Sequence, residues 1–65
     1  MNVQQRIAYA KALLTGSFIR KQYMVIHKNI STATASWDLM KAVKDSILMR
    51  ERNENMMIYK FINIS

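Results

Sequence analysis

The sequence predicts an α+β domain in which three helices are followed by a two-stranded β-hairpin. Two observations support this order. Apolar residues recur at helical spacing in three segments between residues 3 and 45, whereas residues 47–62 are rich in Ile, Met, Tyr and Phe around a polar Asn53-Glu54-Asn55. A chain of 65 residues has room for one domain, residues 1–65, with a small core.

The first helix is predicted over residues 3–15. Its apolar residues follow one another at spacings of four, three and four, as in an amphipathic helix: Val3, Ile7, Ala10 and Leu14. Gly16, the only glycine, is expected to end this helix as a left-handed cap. The polar side chains, Arg6 among them, are expected to face water, so this helix is interpreted as scaffold.

A second helix is predicted over residues 19–28, after a short connector, Ser17-Phe18. Its apolar side contains Ile19, Tyr23 and Ile26. Basic residues lie on its outer side: Arg20, Lys21 and Lys28. His27 has no second histidine nearby in the sequence and is interpreted as a surface or half-buried residue. Asn29 is expected to make a tight left-handed turn, after which Ile30 enters the core.

The third helix is predicted over residues 31–45, and Ser31 is the expected N-cap. One stripe of this helix is apolar: Ala35, Leu39, Ala42 and Val43. Trp37, Lys41 and Lys44 point the other way. Asp38 and Asp45 are interpreted as a solvated residue and a helix-end charge.

Residues 47–62 are predicted to form the hairpin, with asparagine in place of the more usual glycine at the turn. The expected register pairs Arg52 with Asn55, and therefore Leu48 with Tyr59 and Arg50 with Met57. Leu48, Tyr59 and Phe61 would then close over the helices, while Arg50 and Arg52 extend along the tip.

Three helices followed by such a hairpin form the layout of a winged helix-turn-helix. Residues 18–61 also resemble the winged-helix modules of bacterial transcriptional regulators and those appended to Fic-family proteins. The matching pieces are Tyr23, Ile30-Ser31, Thr34-Ala35-Ser36-Trp37-Asp38-Leu39, Ser46-Ile47-Leu48 and Ile58-Tyr59. The chain departs from that pattern in four ways: Ser46 replaces a glycine, Asn29 adds a residue to the turn, the wing tip has no glycine, and Trp37 occupies a position where arginine is common.

The charge distribution favours an anionic partner. The net charge is +6, and all four acidic residues follow residue 37, so residues 1–37 carry five basic side chains and no acidic one. Nucleic acid is a common partner of a small basic domain. The start of the chain lacks the apolar core of a signal peptide, and no apolar run is long enough to span a membrane, so we expect a cytoplasmic protein without a membrane partner.

Catalysis and metal binding are not expected. The chain has no cysteine, a single histidine and no glycine-rich phosphate loop, and its four carboxylates have no evident convergent pair. We therefore expect neither an enzyme nor a cofactor.

The DNA-binding interpretation assigns the third helix to the major groove. Hydroxyl, alanine and aromatic side chains in its N-terminal half would reach base edges or phosphates: Ser31, Thr32, Ala33, Ser36 and Trp37. Basic residues would contact phosphates: Lys21, Lys28, Lys41, Lys44, Arg50 and Arg52. The expected protein is a small transcriptional regulator of double-stranded DNA, acting as a homodimer on a two-fold operator.

Trp37 leaves three alternatives: packing at the edge of the core, contact with DNA, or contact with a protein. Met40 lies beside it, and one of the adjacent Met56 and Met57 must point outward from its strand. Exposed apolar side chains of this kind are typical of contact sites. The alternative function is therefore a winged helix that binds a host protein, as in a factor encoded by a phage or plasmid.

Overall fold

Three helices precede a β-hairpin in a computed structural model that describes residues 2–62. The elements are α1 (Val3–Leu13), β1 (Ser17–Phe18), α2 (Arg20–Ile26), α3 (Thr32–Lys44), β2 (Leu48–Asn53) and β3 (Met56–Phe61). The strands form one antiparallel sheet in the order β1-β3-β2. This α+β topology confirms the predicted fold class and is consistent with a winged helix-turn-helix. Residues 1 and 63–65 of the predicted domain lie outside the described residues.

Helix α1 begins with a capping box at Asn2 and Gln5. The Gln5 amide donates to Asn2 Oδ1 (2.9 Å), and the Asn2 amide donates to Gln5 Oε1 (3.0 Å), so two backbone groups at the helix start are satisfied. The helix ends at Leu13, two residues earlier than predicted. Gly16 has the expected left-handed backbone (φ 79°), but it lies in the loop before β1 rather than at the helix cap.

The predicted connector Ser17-Phe18 is a strand, which corrects the sequence prediction. Ser17 pairs with Lys60 and Phe18 with Tyr59. Phe18 is buried, and its ring lies 5.9 Å from that of Tyr59 and 5.6 Å from that of Phe61. Two residues are too few to show a strand periodicity, so only this pairing and burial identify β1.

Helix α2 is shorter than predicted and has seven residues. The backbone amide of Ile19, the N-cap residue, donates a hydrogen bond to Gln22 Oε1 (2.9 Å). The predicted left-handed conformation of Asn29 is wrong. Among the described residues other than glycine, positive φ occurs at Ser46 and Glu54. Ile30 is half-buried against the core, as expected.

Helix α3 agrees with its prediction. Ser31 is the N-cap, and its Oγ accepts a hydrogen bond from the Thr34 amide (3.1 Å). The predicted apolar stripe faces the core: three of its residues, Ala35, Leu39 and Ala42, are buried, and Val43 is half-buried against them. None of the helices in residues 2–62 is long and apolar enough to cross a membrane.

The hairpin forms, but its predicted register is wrong. Leu48 pairs with Phe61, Arg50 with Tyr59, and the turn is closed by Asn53 and Met56. The register differs from the predicted one by two residues, so every side chain keeps its predicted face. Glu54 occupies the first turn position with φ 59°, which a two-residue hairpin turn requires there.

Candidate nucleic-acid interface

Asp38, which is predicted to be solvated, instead lies at the centre of the contacts that orient α3. Its side chain is fully buried, and its two carboxylate oxygens accept hydrogen bonds from the Arg6 guanidinium at 2.5 and 3.0 Å. The Tyr23 hydroxyl donates to the same carboxylate (2.8 Å). One carboxylate on α3 is therefore held by side chains from α1 and α2. The expectation that Arg6 faces water is also wrong, since its side chain is only 16% exposed.

His27 completes this polar cluster and is buried, not on the surface. Its Nε2 lies 2.9 Å from the backbone carbonyl oxygen of Arg6. Because a carbonyl only accepts, Nε2 is the protonated nitrogen of the imidazole. The ring packs at 4.8 Å on that of Tyr23 and at 5.5 Å on that of Tyr9. His27 thus joins the end of α2 to α1.

The contacts among Arg6, Tyr23 and Asp38 shift the pKa values of these three residues. Burial by itself would raise the pKa of Asp38, but the hydrogen bonds from Arg6 and Tyr23 and the positive charge of Arg6 hold that pKa below its ordinary value. Burial and the hydrogen bond to Asp38 raise the pKa of Tyr23. The hydrogen bond to Asp38 likewise raises the pKa of Arg6. At neutral pH the cluster is a carboxylate bound by a cation and a neutral phenol.

The buried residues of α3 occupy one side of the helix, and at about 100° per residue Trp37 lies on the opposite side. Trp37 is 58% exposed and Met40 is 47% exposed. Trp37 is not among the partly buried hydrophobic residues that pack against the core, and its contact with DNA or with a protein stays a prediction. We call the exposed ridge of α3 formed by Ala33, Trp37, Met40 and Lys44 the α3 stripe; its members follow one another at spacings of four, three and four.

Arg20 lies beside this helix and was not among the predicted site residues. Its Nη1 donates to Ser36 Oγ (3.0 Å), linking the start of α2 to the second turn of α3. Arg20 and Ser36 therefore belong to one surface. The sequence shows Arg20 as one of several basic residues on the outside of α2, and no local pattern distinguishes it from Lys21, which lies in the same first turn.

The β2–β3 hairpin, which we call the wing, continues this surface. A shallow depression of about 400 Å³ separates the start of α2 from the hairpin tip and is lined by Ile19, Arg20, Lys21, Met24, Asn55, Met56, Met57 and Tyr59. Two of these lining residues are the cross-strand partners of wing arginines, since Tyr59 pairs with Arg50 and Met57 with Arg52. Paired residues share a face of the sheet. The two exposed arginines therefore project on the same face of the hairpin as this depression.

The acidic residue of strand β2 lies on the opposite face of the hairpin. Glu51 pairs with Ile58, and the two lie with Ser17, Met49 and Lys60 around a separate depression. We call the face with Arg50 and Arg52 the inner face of the wing, and the face with Glu51 and Lys60 the outer face. Alternation along the strand thus separates the wing arginines from Glu51.

Two predicted phosphate ligands lie elsewhere. Lys41 lines an apolar groove between α1 and α3, where its Nζ lies 3.6 Å from a carboxylate oxygen of Asp45. Lys28 lies in a depression with Arg6, Tyr9 and His27. The structure therefore places Ser36 and Lys21 beside Arg20 and puts Arg50 and Arg52 on the hairpin face that borders the same depression, whereas Lys28 and Lys41 line other depressions.

Of the predicted protein-contact residues, Met56 is exposed and Met57 is half-buried against the core. Within residues 2–62 the structure has no group of three His, Cys, Asp or Glu side chains that could hold a metal ion. Comparisons with protein-family models, curated proteins and solved structures found no match to the chain.

Proposed function

We propose that this chain is a DNA-binding transcriptional regulator with a winged helix-turn-helix fold. The observation that carries the proposal is that Arg20 and Lys21 line a depression whose wing side is the hairpin face bearing Arg50 and Arg52, and that Arg20 also contacts α3 at Ser36. The resemblance of residues 18–61 to winged-helix modules of bacterial regulators and Fic-family proteins supports it. We call the proposed contact surface the recognition face: Ser31, Thr32, Ala33, Ser36, Trp37, Arg20, Lys21, Arg50 and Arg52.

The roles follow from the geometry of a duplex. The major groove is about 12 Å wide and accepts one helix, and α3 offers small and polar residues in its first two turns. Arg20 uses one guanidinium nitrogen on Ser36 and has further donors for a phosphate. The wing arginines extend the positive surface, so phosphates on both sides of the helix are neutralised.

A salt titration tests this proposal. Each phosphate neutralised contributes about 0.9 to the slope of log K against log salt, so four contacts predict a slope of about −3.6. The protein would be titrated against a labelled 20-base-pair duplex of mixed sequence, followed by fluorescence anisotropy at several salt concentrations.

The double variant Arg50→Ala/Arg52→Ala should bind more weakly and lower the magnitude of the slope by about 1.8. Lys60→Ala is the matched control, because Lys60 is an exposed base on the outer face of the same hairpin. Absence of duplex binding by the unaltered protein overturns the proposal. An equal effect of the wing variant and Lys60→Ala also overturns it, because the charge would then act without regard to its position.

A homodimer on a two-fold operator belongs to the same proposal. Sedimentation in the presence of a selected duplex should give two chains per duplex. One chain per duplex would contradict this part of the proposal and leave the DNA contact itself standing.

The second candidate is a protein-interaction module that binds a host protein. It is favoured by the joint exposure of Trp37 (58%) and Met40 (47%), since such side chains are enriched at protein interfaces. A pull-down with the tagged chain after nuclease treatment distinguishes the two functions. A host protein that is retained by the unaltered chain and lost with Trp37→Ala supports the second candidate, whereas loss of every partner on nuclease treatment supports DNA.

A further inference from the structure

The first three residues of the α3 stripe are not of the types that usually read bases by hydrogen bonds. Arginine and lysine read guanine, asparagine and glutamine read adenine, and acidic residues read cytosine. The stripe carries Ala33, Trp37 and Met40, and its only charged residue is Lys44 in the last turn. Its N-terminal three-quarters is therefore apolar.

The surroundings of the stripe are basic. Arg20 reaches α3 at Ser36, Arg20 and Lys21 line the depression beside the wing, and Arg50 and Arg52 lie on the inner face of the wing, with Glu51 on the outer face. Asp38, the acidic residue next to Trp37 in the chain, is buried and bound by Arg6. An apolar ridge with a basic rim matches a polyanion that also has apolar groups between its charges.

Duplex DNA offers one apolar group in the major groove, the C5-methyl of thymine. At 1.5 Å per residue, Ala33 and Met40 are separated by roughly 10 Å along the helix axis, which corresponds to about three base pairs at 3.4 Å each. The hydroxyls of Thr32 and Ser36 flank the stripe and can reach either base or a phosphate.

We propose that α3 selects its DNA by pyrimidine C5-methyl groups, with Trp37 and Met40 as the residues that determine specificity. This inference rests on the proposed DNA binding and names the class of site, a short thymine-containing step in the major groove. The basic residues of the recognition face supply affinity that is independent of sequence, and the stripe supplies the discrimination.

Uracil tests this inference directly, because replacing thymine with uracil removes the methyl group and keeps the base-pairing edge. Two duplexes of the same alternating A·T sequence, one with thymine and one with uracil, would be titrated at one salt concentration. The unaltered protein should bind the thymine duplex more tightly, by about fourfold for each buried methyl. A G·C duplex with 5-methylcytosine should likewise bind more tightly than the same duplex with cytosine.

The variants Trp37→Ala and Met40→Ala should bind the thymine and uracil duplexes with more nearly equal affinity. Both side chains are exposed, so the fold is expected to persist, and circular dichroism checks this. Val25→Ala is the matched control, because Val25 is an apolar residue 61% exposed on α2 and away from the stripe. It should retain the full preference for thymine.

The outcomes separate the two proposals. Equal binding of thymine and uracil duplexes by the unaltered protein overturns this inference while the proposed function stands. Absence of binding to either duplex overturns the proposed function itself. If Trp37→Ala and Met40→Ala retain the full thymine preference, the stripe is not the reading surface, and the inference is again overturned.

Discussion

The guanidinium of Arg6 binds both carboxylate oxygens of Asp38, joining two residues that lie 32 positions apart in the chain. The pair connects α1 to α3 and lets α1, which lies outside the recognition face, set the rotation of α3 about its own axis. With Asp38, Leu39 and Ala42 held inward, Trp37 lies on the opposite side of the helix and faces outward. The Arg6–Asp38 pair thus helps the buried apolar residues of α3 to hold Trp37 outward, although the pair contacts neither Trp37 nor any nucleic acid.

Tyr23→Phe should destabilise the fold. The variant removes a 2.8 Å hydrogen bond to the buried Asp38 carboxylate, and a hydrogen bond to a charged group contributes about 1.5–3 kcal/mol. Urea unfolding followed by circular dichroism measures the loss. Tyr9→Phe is the control, because Tyr9 is 47% exposed; a similar loss in both variants would show that the Asp38 contact is unimportant.

Acid should unfold the protein through Asp38. The pKa of Asp38 is lower in the folded chain than in the unfolded chain, where it is about 3.9. The stabilisation is therefore fully present above the unfolded value and is lost as pH falls below about 4 through the folded value. Urea midpoints between pH 2 and pH 6 measure it.

Asp38→Asn should have a lower free energy of unfolding at neutral pH, and that free energy should fall less than in the unaltered protein as the pH is lowered. Asp45→Asn changes an exposed carboxylate at the end of the same helix, and its free energy of unfolding should fall with acid as much as that of the unaltered protein. A decline of the same size in Asp38→Asn and in the unaltered protein would contradict the assignment to Asp38.

Trp37→Ala and Leu39→Ala should differ strongly in stability although the two residues are neighbours on α3. Leu39 is fully buried, and such a truncation costs about 2–5 kcal/mol. Trp37 is 58% exposed, so its truncation should change the free energy of unfolding by about 0.5 kcal/mol or less. A loss above that range for Trp37→Ala would show that its ring packs on the core.

Ser46→Gly should stabilise the fold. Ser46 has φ 62° after the end of α3, and a side chain in that region costs about 1–2 kcal/mol that glycine avoids. Glycine also gives the unfolded chain more conformational freedom, which lowers the free energy of unfolding by about 0.4–1 kcal/mol. The net expected increase in the free energy of unfolding is about 0.5–1 kcal/mol. Thermal and urea unfolding measure it.

Glu54→Gly, with φ 59°, should behave in the same way as Ser46→Gly. Asn29→Gly is the control, since Asn29 lies in a turn without a positive φ. A gain in Asn29→Gly as large as in the other two would mean that backbone strain is not the cause.

The elements with a periodic signal could be predicted from the sequence. The stripe of Ala35 and Leu39, the cap at Ser31 and the order of helices before hairpin all follow from local patterns. The faces of the hairpin were also predictable, because alternation survives a register error of two residues. The register itself depends on which turn residue accepts a positive φ, and Glu54 is an unusual choice for that position.

The tertiary polar contacts could not be predicted. Arg6, Asp38 and His27 each resemble surface residues in the sequence, since an ionisable side chain is buried only when a distant partner satisfies it. Arg20 was missed as a site residue for a related reason: its contact with Ser36 requires the relative position of two helices. Strand β1 has no local pattern and appears only through its pairing with β3.

The strand order leaves β2 at one edge of the sheet, where its unpaired backbone groups could recruit another copy of the chain. Pairing with a second β2 about a two-fold axis at Arg50 or Arg52 would set two guanidinium groups opposite each other. An axis at Glu51 would set Glu51 against Glu51 and Arg50 against Arg52. Like charges opposite each other destabilise a sheet. The residues proposed to attract DNA thus also protect the wing against fibril-like self-association.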